Sequence, residues 1–140
     1  MSISKATAVW EGGLREGHGT MKPEHASEAP FSVSSRFEGG RGSNPEELIG
    51  AALSGCFSMA LSAALGKGGK SPRKIETSAA VHLEKKGEGF EITSIELSTI
   101  ADVPGLGAAE FATVAEETKK ACPVSKAFAG TKITLSAKLA

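Results

Sequence analysis

Apolar and polar residues alternate over several segments of the chain, the pattern that half-buried β-strands leave in a sequence. In the first third of the chain this pattern predicts strands over residues 3–10, 17–21 and 31–37, the first of which ends at the turn signal Gly12-Gly13. Alternation in the third segment places Arg36 on the face opposite Phe37. Three short strands are therefore expected before the first helix.

A β-hairpin is predicted in the second half of the chain, where residues 73–85 and 90–100 alternate and a glycine-containing turn joins them. The alternation of the second strand slips after Thr93, which predicts a β-bulge at that position. A last strand is expected over residues 132–139.

A central helix is predicted to start at Asn44-Pro45-Glu46-Glu47, where Asn is a cap, Pro suits the first helical position and acids suit the first turn. From residue 48 to residue 65 apolar and small side chains occur on every side, which indicates a helix that is buried all round. A domain this small rarely surrounds such a helix, so we expect a second subunit to cover its remaining face.

A second helix is predicted over residues 108–121, and Cys122-Pro123 ends it and starts a short third helix that reaches Phe128. Strands, helix, hairpin, helices and strand in this order predict an α+β fold with an antiparallel sheet packed on helices. The length of 140 residues fits a single domain over residues 1–140.

Composition excludes several classes of partner. The 16 basic and 16 acidic side chains cancel, so there is no long-range field to attract nucleic acid or an anionic membrane. Residues 48–66 carry no charge, but they are mostly Ala, Gly and Ser, which does not favour membrane insertion. The N-terminus does not resemble a signal peptide, and we therefore expect a cytoplasmic protein.

The chain has two cysteines, Cys56 and Cys122, whose wide spacing matches neither a redox CxxC motif nor a zinc framework. In a reducing cytosol such a pair is either inert or redox-active. An apolar helix raises the pKa of Cys56, so its thiol stays inert unless a rigidly held cation lies nearby. Arg36 is the best candidate for that cation, although an exposed arginine paired with some carboxylate is the simpler interpretation.

Glu46 and Glu47 have a plain explanation as acids that stabilise the helix dipole. Glu46 precedes Cys56 by ten residues, or about 15 Å along one helix axis, so one chain cannot bring them together. A shared site requires two such helices to run antiparallel across a two-fold axis. Cys122, at a helix start, is well placed to ionise, although it need not be the attacking sulfur. If Cys56 attacks a peroxide, it becomes a sulfenic acid with which a second thiol within reach can condense.

The remaining candidates for chemistry are weak. His18, His25 and His82 show no spacing that brings two of them to one face with a carboxylate, so no metal site is predicted. Residues 66–70 superficially suggest a phosphate loop, but no buried strand precedes them and no Lys-Ser/Thr opens a helix after them.

Two motifs carry a family resemblance. One runs from Arg36-Phe37-Glu38-Gly39 through Gly42-Ser43-Asn44-Pro45-Glu46-Glu47-Leu48 to Cys56-Phe57-Ser58-Met59, and the other is Ala121-Cys122-Pro123-Val124-Ser125. In combination they closely resemble the osmotically inducible protein C (OsmC) family, which is related to the organic hydroperoxide resistance proteins. The resemblance extends across the whole chain.

This resemblance implies an intertwined homodimer with sheets wrapped around two central helices and two active sites at the interface. It implies Cys56 as the peroxidatic cysteine, Cys122 as the resolving cysteine, and Arg36 with Glu46 as the supporting pair, with Glu47 as a second choice. The implied substrates are organic hydroperoxides, including fatty-acid-derived ones, with hydrogen peroxide as a further candidate. The implied reductant is a dithiol such as protein-bound dihydrolipoamide, and no flavin, haem or metal is implied.

Two other functions remain open from the sequence. The chain can instead be a non-catalytic dimer that binds a small apolar ligand, with Cys56 only a core residue. It can also be a thiol-based redox sensor, which shares the disulfide but lacks efficient recycling.

Overall fold

The computed structural model describes residues 1–140, which form two compact units, Met1–Leu48 and Ile49–Ala140. In chain order the elements are β1 (Ala6–Glu11), β2 (His18–Pro23), β3 (Ala29–Phe31), α1 (Val33–Phe37), α2 (Pro45–Lys67), β4 (Lys74–Lys86), β5 (Gly89–Asp102), α3 (Ala108–Ala121), α4 (Pro123–Ala127) and β6 (Lys132–Leu139). The α+β class expected from the sequence is confirmed, whereas a single domain over residues 1–140 stays a prediction.

The first unit contains a three-stranded antiparallel sheet in the order β1-β2-β3. The first two predicted strands are confirmed with ends shifted by one to three residues. Every residue of β1 is exposed in the chain, and large apolar side chains such as Val9 and Leu14 lie on the surface of this unit. A small sheet of this kind is marginal without further packing, so this surface is suited to being covered by another element or subunit.

The strand predicted over residues 31–37 is wrong beyond Phe31, because the chain turns there into the short helix α1. Ser32 caps this helix. Its Oγ accepts the Ser35 backbone N–H at 3.1 Å, and the Ser35 Oγ accepts the Ser32 N–H at 2.8 Å. The reciprocal cap satisfies backbone donors that a strand would need a neighbour to satisfy. Arg36 consequently lies on a helix and not on a strand face.

The second unit is built on a three-stranded sheet in the order β4-β5-β6. The β4-β5 hairpin is antiparallel, and its register shifts so that Thr93 is left without a partner residue, as predicted for the bulge. The last strand departs from the antiparallel expectation, since β6 runs parallel to β5. The helices α3 and α4 supply the long crossover that a parallel neighbour requires.

The core lies in the second unit, where α2 contributes a buried residue every fourth position. The fully buried apolar residues are Leu53, Phe57, Leu61, Leu65, Ile95, Leu97, Ala101, Val103, Phe111, Ala115 and Cys122. This spacing forms one stripe along α2 and packs it on the sheet and on α3. The predicted central helix is therefore confirmed, together with its start at Pro45.

The opposite side of α2 is not buried in the chain, although the sequence predicted burial all round. Ala51, Gly55 and Ala63 are exposed, and Met59 exposes 77% of its surface. The physical reason is that one chain supplies packing partners for only one side of this apolar helix. A continuous exposed face of small and apolar residues remains.

The length and composition of α2 also satisfy the usual criteria for a membrane span, with a mean hydropathy of 1.8 over its most apolar window. Core helices of globular domains meet the same criteria. The buried stripe at Leu53, Phe57 and Leu61 shows that this helix serves as a core helix of the second unit.

Replacement of Leu61 by alanine is expected to lower the free energy of unfolding by about 2–5 kcal/mol, because it leaves a cavity in the core. The matched control is Ser62→Ala, which alters an exposed position of the same helix and is expected to change stability by less than about 0.5 kcal/mol. Chemical denaturation at one fixed protein concentration measures both. Equal losses in the two variants would contradict the placement of Leu61.

Candidate functional site

The structure brings the two cysteines together across 66 positions of sequence. Cys56 lies in the middle of α2, and Cys122 lies between the end of α3 and the start of α4. Their sulfurs are 3.0 Å apart, and both thiols are free. Pro123 ends the α3 conformation, so that Cys122 is the residue at which the chain turns towards Cys56.

The separation of the two sulfurs is short enough for them to form a disulfide bond. A disulfide bond is about 2.05 Å long, so a movement of about 1 Å joins the two atoms. Cys122 is fully buried, whereas Cys56 is partly accessible, and a small oxidant therefore has access to Cys56 first.

The two thiols differ in their tendency to ionise. Burial raises the pKa of the Cys56 thiol, and its hydrogen bond with Cys122 raises that pKa further. Burial also opposes ionisation of Cys122, but hydrogen bonds from Cys56, Ser125 and the Val124 amide outweigh it and lower the pKa of Cys122. The proton in the 3.0 Å contact between the two sulfurs can lie on either of them.

Ser125 is a candidate site residue to which sequence reasoning assigned no role. Its hydroxyl is buried without a conventional hydrogen-bond partner, and it lies on the first turn of α4 beside Cys122. A buried hydroxyl of this kind is costly unless it finds an acceptor. An ionised Cys122 sulfur supplies that acceptor, which favours the thiolate. The available signal in the sequence was a serine three residues after a cysteine at a helix start.

The first unit contains a partly buried ion pair between Arg36 and Glu46. Arg36 Nε donates to Glu46 Oε2 at 3.1 Å, and Arg36 Nη2 donates to Oε1 at 2.5 Å. The carboxylate side chain is only 10% exposed, and the guanidinium also lies 5.4 Å from the centre of the Phe37 ring. The two-point contact fixes the guanidinium plane and leaves three of its five N–H donors for another acceptor.

The choice between the two glutamates is decided by their contacts. Glu47 accepts a hydrogen bond from Ser43 Oγ at 2.8 Å, and its backbone N–H is capped by Asn44 Oδ1 at 2.9 Å. Glu47 therefore serves the start of α2, as acids in a first helical turn do. Glu46 is the residue that holds Arg36.

The histidines and the glycine-rich loop show no comparable arrangement. Each histidine contacts a single glutamate, the closest contact being His82 Nε2 to Glu96 at 2.9 Å, and no three metal-ligating side chains cluster. Lys70 donates to the Gly105 carbonyl at 2.9 Å. The loop thus serves as a connection after α2.

Two free thiols in contact on an α+β fold define a thiol-based redox protein. The chain belongs to the OsmC family, since the family model for OsmC-like proteins matches residues 38–136. Both cysteines, Glu46 and the second motif lie inside the matched region, and Arg36 lies two residues before it.

Curated relatives agree with this assignment. The chain is 46% identical over 124 residues to the peroxiredoxin OsmC of Escherichia coli, with 87% of each chain covered. It is 32% identical over 121 residues to an organic hydroperoxide resistance protein of Xanthomonas axonopodis pv. citri, covering 84% of this chain and 82% of the relative. The fold matches an OsmC-like protein of Vibrio cholerae with a TM-score of 0.77 and 18% identity, over 98% and 99% of the two chains.

Replacement of Ser125 by alanine is expected to raise the pKa of Cys122, because the thiolate loses a buried donor. Less thiolate is then present at neutral pH, and the ultraviolet absorbance of the thiolate, followed against pH, measures the change. Ser98→Ala, at an exposed position of β5, is the control and leaves the titration unchanged. An unaltered titration in Ser125→Ala would show that the hydroxyl does not act on the sulfur.

Proposed function

We propose that this protein is a cysteine-based peroxidase that reduces organic hydroperoxides to alcohols, acting as a homodimer with a dithiol reductant. The single observation that carries the proposal is the 3.0 Å contact between the free sulfurs of Cys56 and Cys122. Membership of the OsmC family supports it, as do relatives named for peroxiredoxin activity and organic hydroperoxide resistance. Hydrogen peroxide is a further candidate substrate.

In the first step the Cys56 thiolate attacks the distal oxygen of the hydroperoxide. A sulfur–oxygen bond forms while the O–O bond breaks, so that sulfur is oxidised to a sulfenic acid and the alkoxide leaves and takes up a proton. The accessibility of Cys56 assigns this step to it, since Cys122 is fully buried.

In the second step Cys122 attacks the sulfenic sulfur of Cys56. The disulfide forms and the sulfenic oxygen leaves as water after protonation. The lowered pKa of Cys122 suits a resolving thiol, because the thiolate is the attacking form. A dithiol such as dihydrolipoamide then restores both thiols by two exchange reactions and becomes a disulfide itself.

The first step needs a cation that the neighbourhood of Cys56 within the second unit does not supply. The pKa of Cys56 is raised by burial and by Cys122, so an external positive charge must favour its thiolate. We assign this charge to the partner subunit's Arg36, whose three remaining N–H donors can bind the sulfur and the peroxide oxygens. Glu46 holds the guanidinium in position through the two-point contact.

The dimer brings these residues together by crossing two α2 helices. Glu46 and Cys56 are ten residues apart on one helix, about 15 Å along its axis, so an antiparallel pair sets the start of one helix against the middle of the other. The exposed small and apolar face around Met59 is the natural contact surface for this crossing. Two equivalent sites follow from the two-fold symmetry.

A cytoplasmic location is proposed because the mechanism needs both thiols reduced.

Replacement of Cys56 by serine is expected to reduce peroxide consumption to background in an assay coupled to dihydrolipoamide, because no other thiol can reach the peroxide. Replacement of Cys122 should allow one turnover and leave a sulfenic acid on Cys56, detected by a sulfenic-acid reagent and mass spectrometry. Sustained turnover by Cys56→Ser would refute the role of Cys56. Disulfide formation without sustained turnover in the wild type would indicate a redox sensor instead.

A mixture of Arg36→Ala and Cys56→Ser subunits tests whether the arginine acts across the dimer. Each variant alone is expected to be nearly inactive, but exchanged mixed dimers contain one complete site and should recover about a quarter of wild-type activity. No site is complete in a mixed dimer if the arginine serves its own chain, so absence of recovery would contradict the crossed arrangement. Arg41→Ala, an exposed arginine of the same unit, is the control and retains activity.

A further inference from the structure

Three hydroxyl groups form a hydrogen-bonded chain between α2 and the β4-β5 hairpin. Ser58 Oγ donates to Thr77 Oγ1 at 2.8 Å, and Thr77 Oγ1 lies 3.0 Å from Thr99 Oγ1. Thr99 Oγ1 in turn donates to the Glu76 backbone carbonyl at 3.2 Å. Because a hydroxyl has one proton, Thr77 must donate to Thr99. This hydroxyl chain therefore runs in one direction, from the helix to the backbone of a strand.

The hydroxyl chain lies on the face of the sheet that packs on α2. Thr77 and Thr99 are cross-strand partners, and Thr99 is 1% exposed and lies on the same face as the buried Leu97 and Ala101. A valine has nearly the shape of a threonine and would need no hydrogen-bond partner there. A fully satisfied polar network makes a core more rigid and fixes one arrangement of it. The hydroxyl chain thus gives this apolar contact a direction.

Ser58 holds α2 on the side opposite Cys56. It follows Cys56 by two residues, or about 200° around the axis of a helix with 3.6 residues per turn, and Phe57 between them belongs to the buried stripe. Apart from the contacts of Cys56 itself, the bond from Ser58 to Thr77 is the one side-chain hydrogen bond that ties α2 to another element of the second unit. Hydrophobic contacts are not directional, whereas hydrogen bonds are, so Ser58 opposes a rotation of α2 that would withdraw Cys56 from Cys122.

We infer that Ser58, Thr77 and Thr99 are positioning residues for the reaction between the two cysteines. The hydroxyl chain sets the rotation of α2 and keeps the Cys56 sulfur 3.0 Å from the Cys122 sulfur. Cys122 then reaches a sulfenic acid on Cys56 before a second hydroperoxide does. The inference rests on the proposed function and adds three residues that make no hydrogen bond to either sulfur. A misplacement of about 1 Å can slow a reaction about 100-fold.

The equilibrium between the two thiols and the Cys56–Cys122 disulfide measures this positioning without any peroxide. The full-length protein is equilibrated with mixtures of reduced and oxidised dithiothreitol, and its free thiols are counted by alkylation and mass spectrometry. Ser58→Ala and Thr99→Val are each expected to lower the equilibrium constant for disulfide formation about 10-fold, because the sulfurs meet less often. A loss of stability that is common to both redox states cancels in this constant.

Three control variants separate positioning from a merely structural role. Ser62→Ala makes the same change at an exposed position one turn further along α2, Ile95→Val removes a methyl group from the fully buried core, and Thr99→Ser keeps the hydroxyl. All three are expected to retain the wild-type equilibrium constant. An equal shift in Ile95→Val and Thr99→Val would overturn the positioning role. Ser58→Ala leaves the two threonines bonded to each other, so an unchanged constant in this variant overturns the role even if Thr99→Val does not fold.

Over-oxidation of Cys56 in excess cumene hydroperoxide is the second readout. Slower closure of the disulfide leaves more time for the sulfenic acid to become a sulfinic acid. Ser58→Ala is expected to accumulate sulfinic acid about 10-fold faster than the wild type and Ser62→Ala, as measured by the mass of the intact protein.

The two readouts separate the positioning role from the peroxidase function. A shifted dithiol–disulfide equilibrium in a protein that consumes no hydroperoxide would uphold the positioning role and refute the peroxidase. Equal equilibrium constants and equal over-oxidation in the wild type and Ser58→Ala, with sustained turnover in both, would refute the positioning role alone.

Discussion

A thiolate buried among apolar side chains is unfavourable unless N–H donors or a positive charge replace its lost hydration. The site is organised around this constraint. The backbone and hydroxyl donors at the start of α4 serve Cys122, while Cys56, on the apolar helix α2, has its pKa raised. The proposed dimer supplies the missing positive charge, because it brings the partner subunit's Arg36 guanidinium to the Cys56 sulfur, whose thiolate is the less stabilised of the two within its own unit.

The same helix links this requirement to assembly. One side of α2 carries the core stripe from Leu53 to Leu65 and places Cys56 against Cys122. Its other side is exposed around Met59, and its first turn holds the glutamate that fixes Arg36. In the proposed dimer, stability and catalysis therefore depend on one element, since the contact that covers the apolar face also completes the site.

Sequence reasoning succeeded where local chemistry is decisive. The Asn44-Pro45 start of α2, the break at Cys122-Pro123 and the bulge at Thr93 each depend on a few neighbouring residues, and the structure has all three. It failed at residues 31–37, where alternation resembled a strand but the Ser32 cap formed a helix. It also missed the parallel pairing of β6, because strand direction depends on distant partners.

The sequence by itself determined most of the elements, the two motifs and the family, since these depend on local propensity and on residue identity at fixed spacings. Only the tertiary structure decided that Glu46 and not Glu47 holds Arg36, and that the two sulfurs lie 3.0 Å apart. The buried Ser125 hydroxyl beside Cys122 likewise became visible only there. The reason is physical, because side-chain contacts depend on distances between residues far apart in sequence, which packing sets and periodicity does not encode.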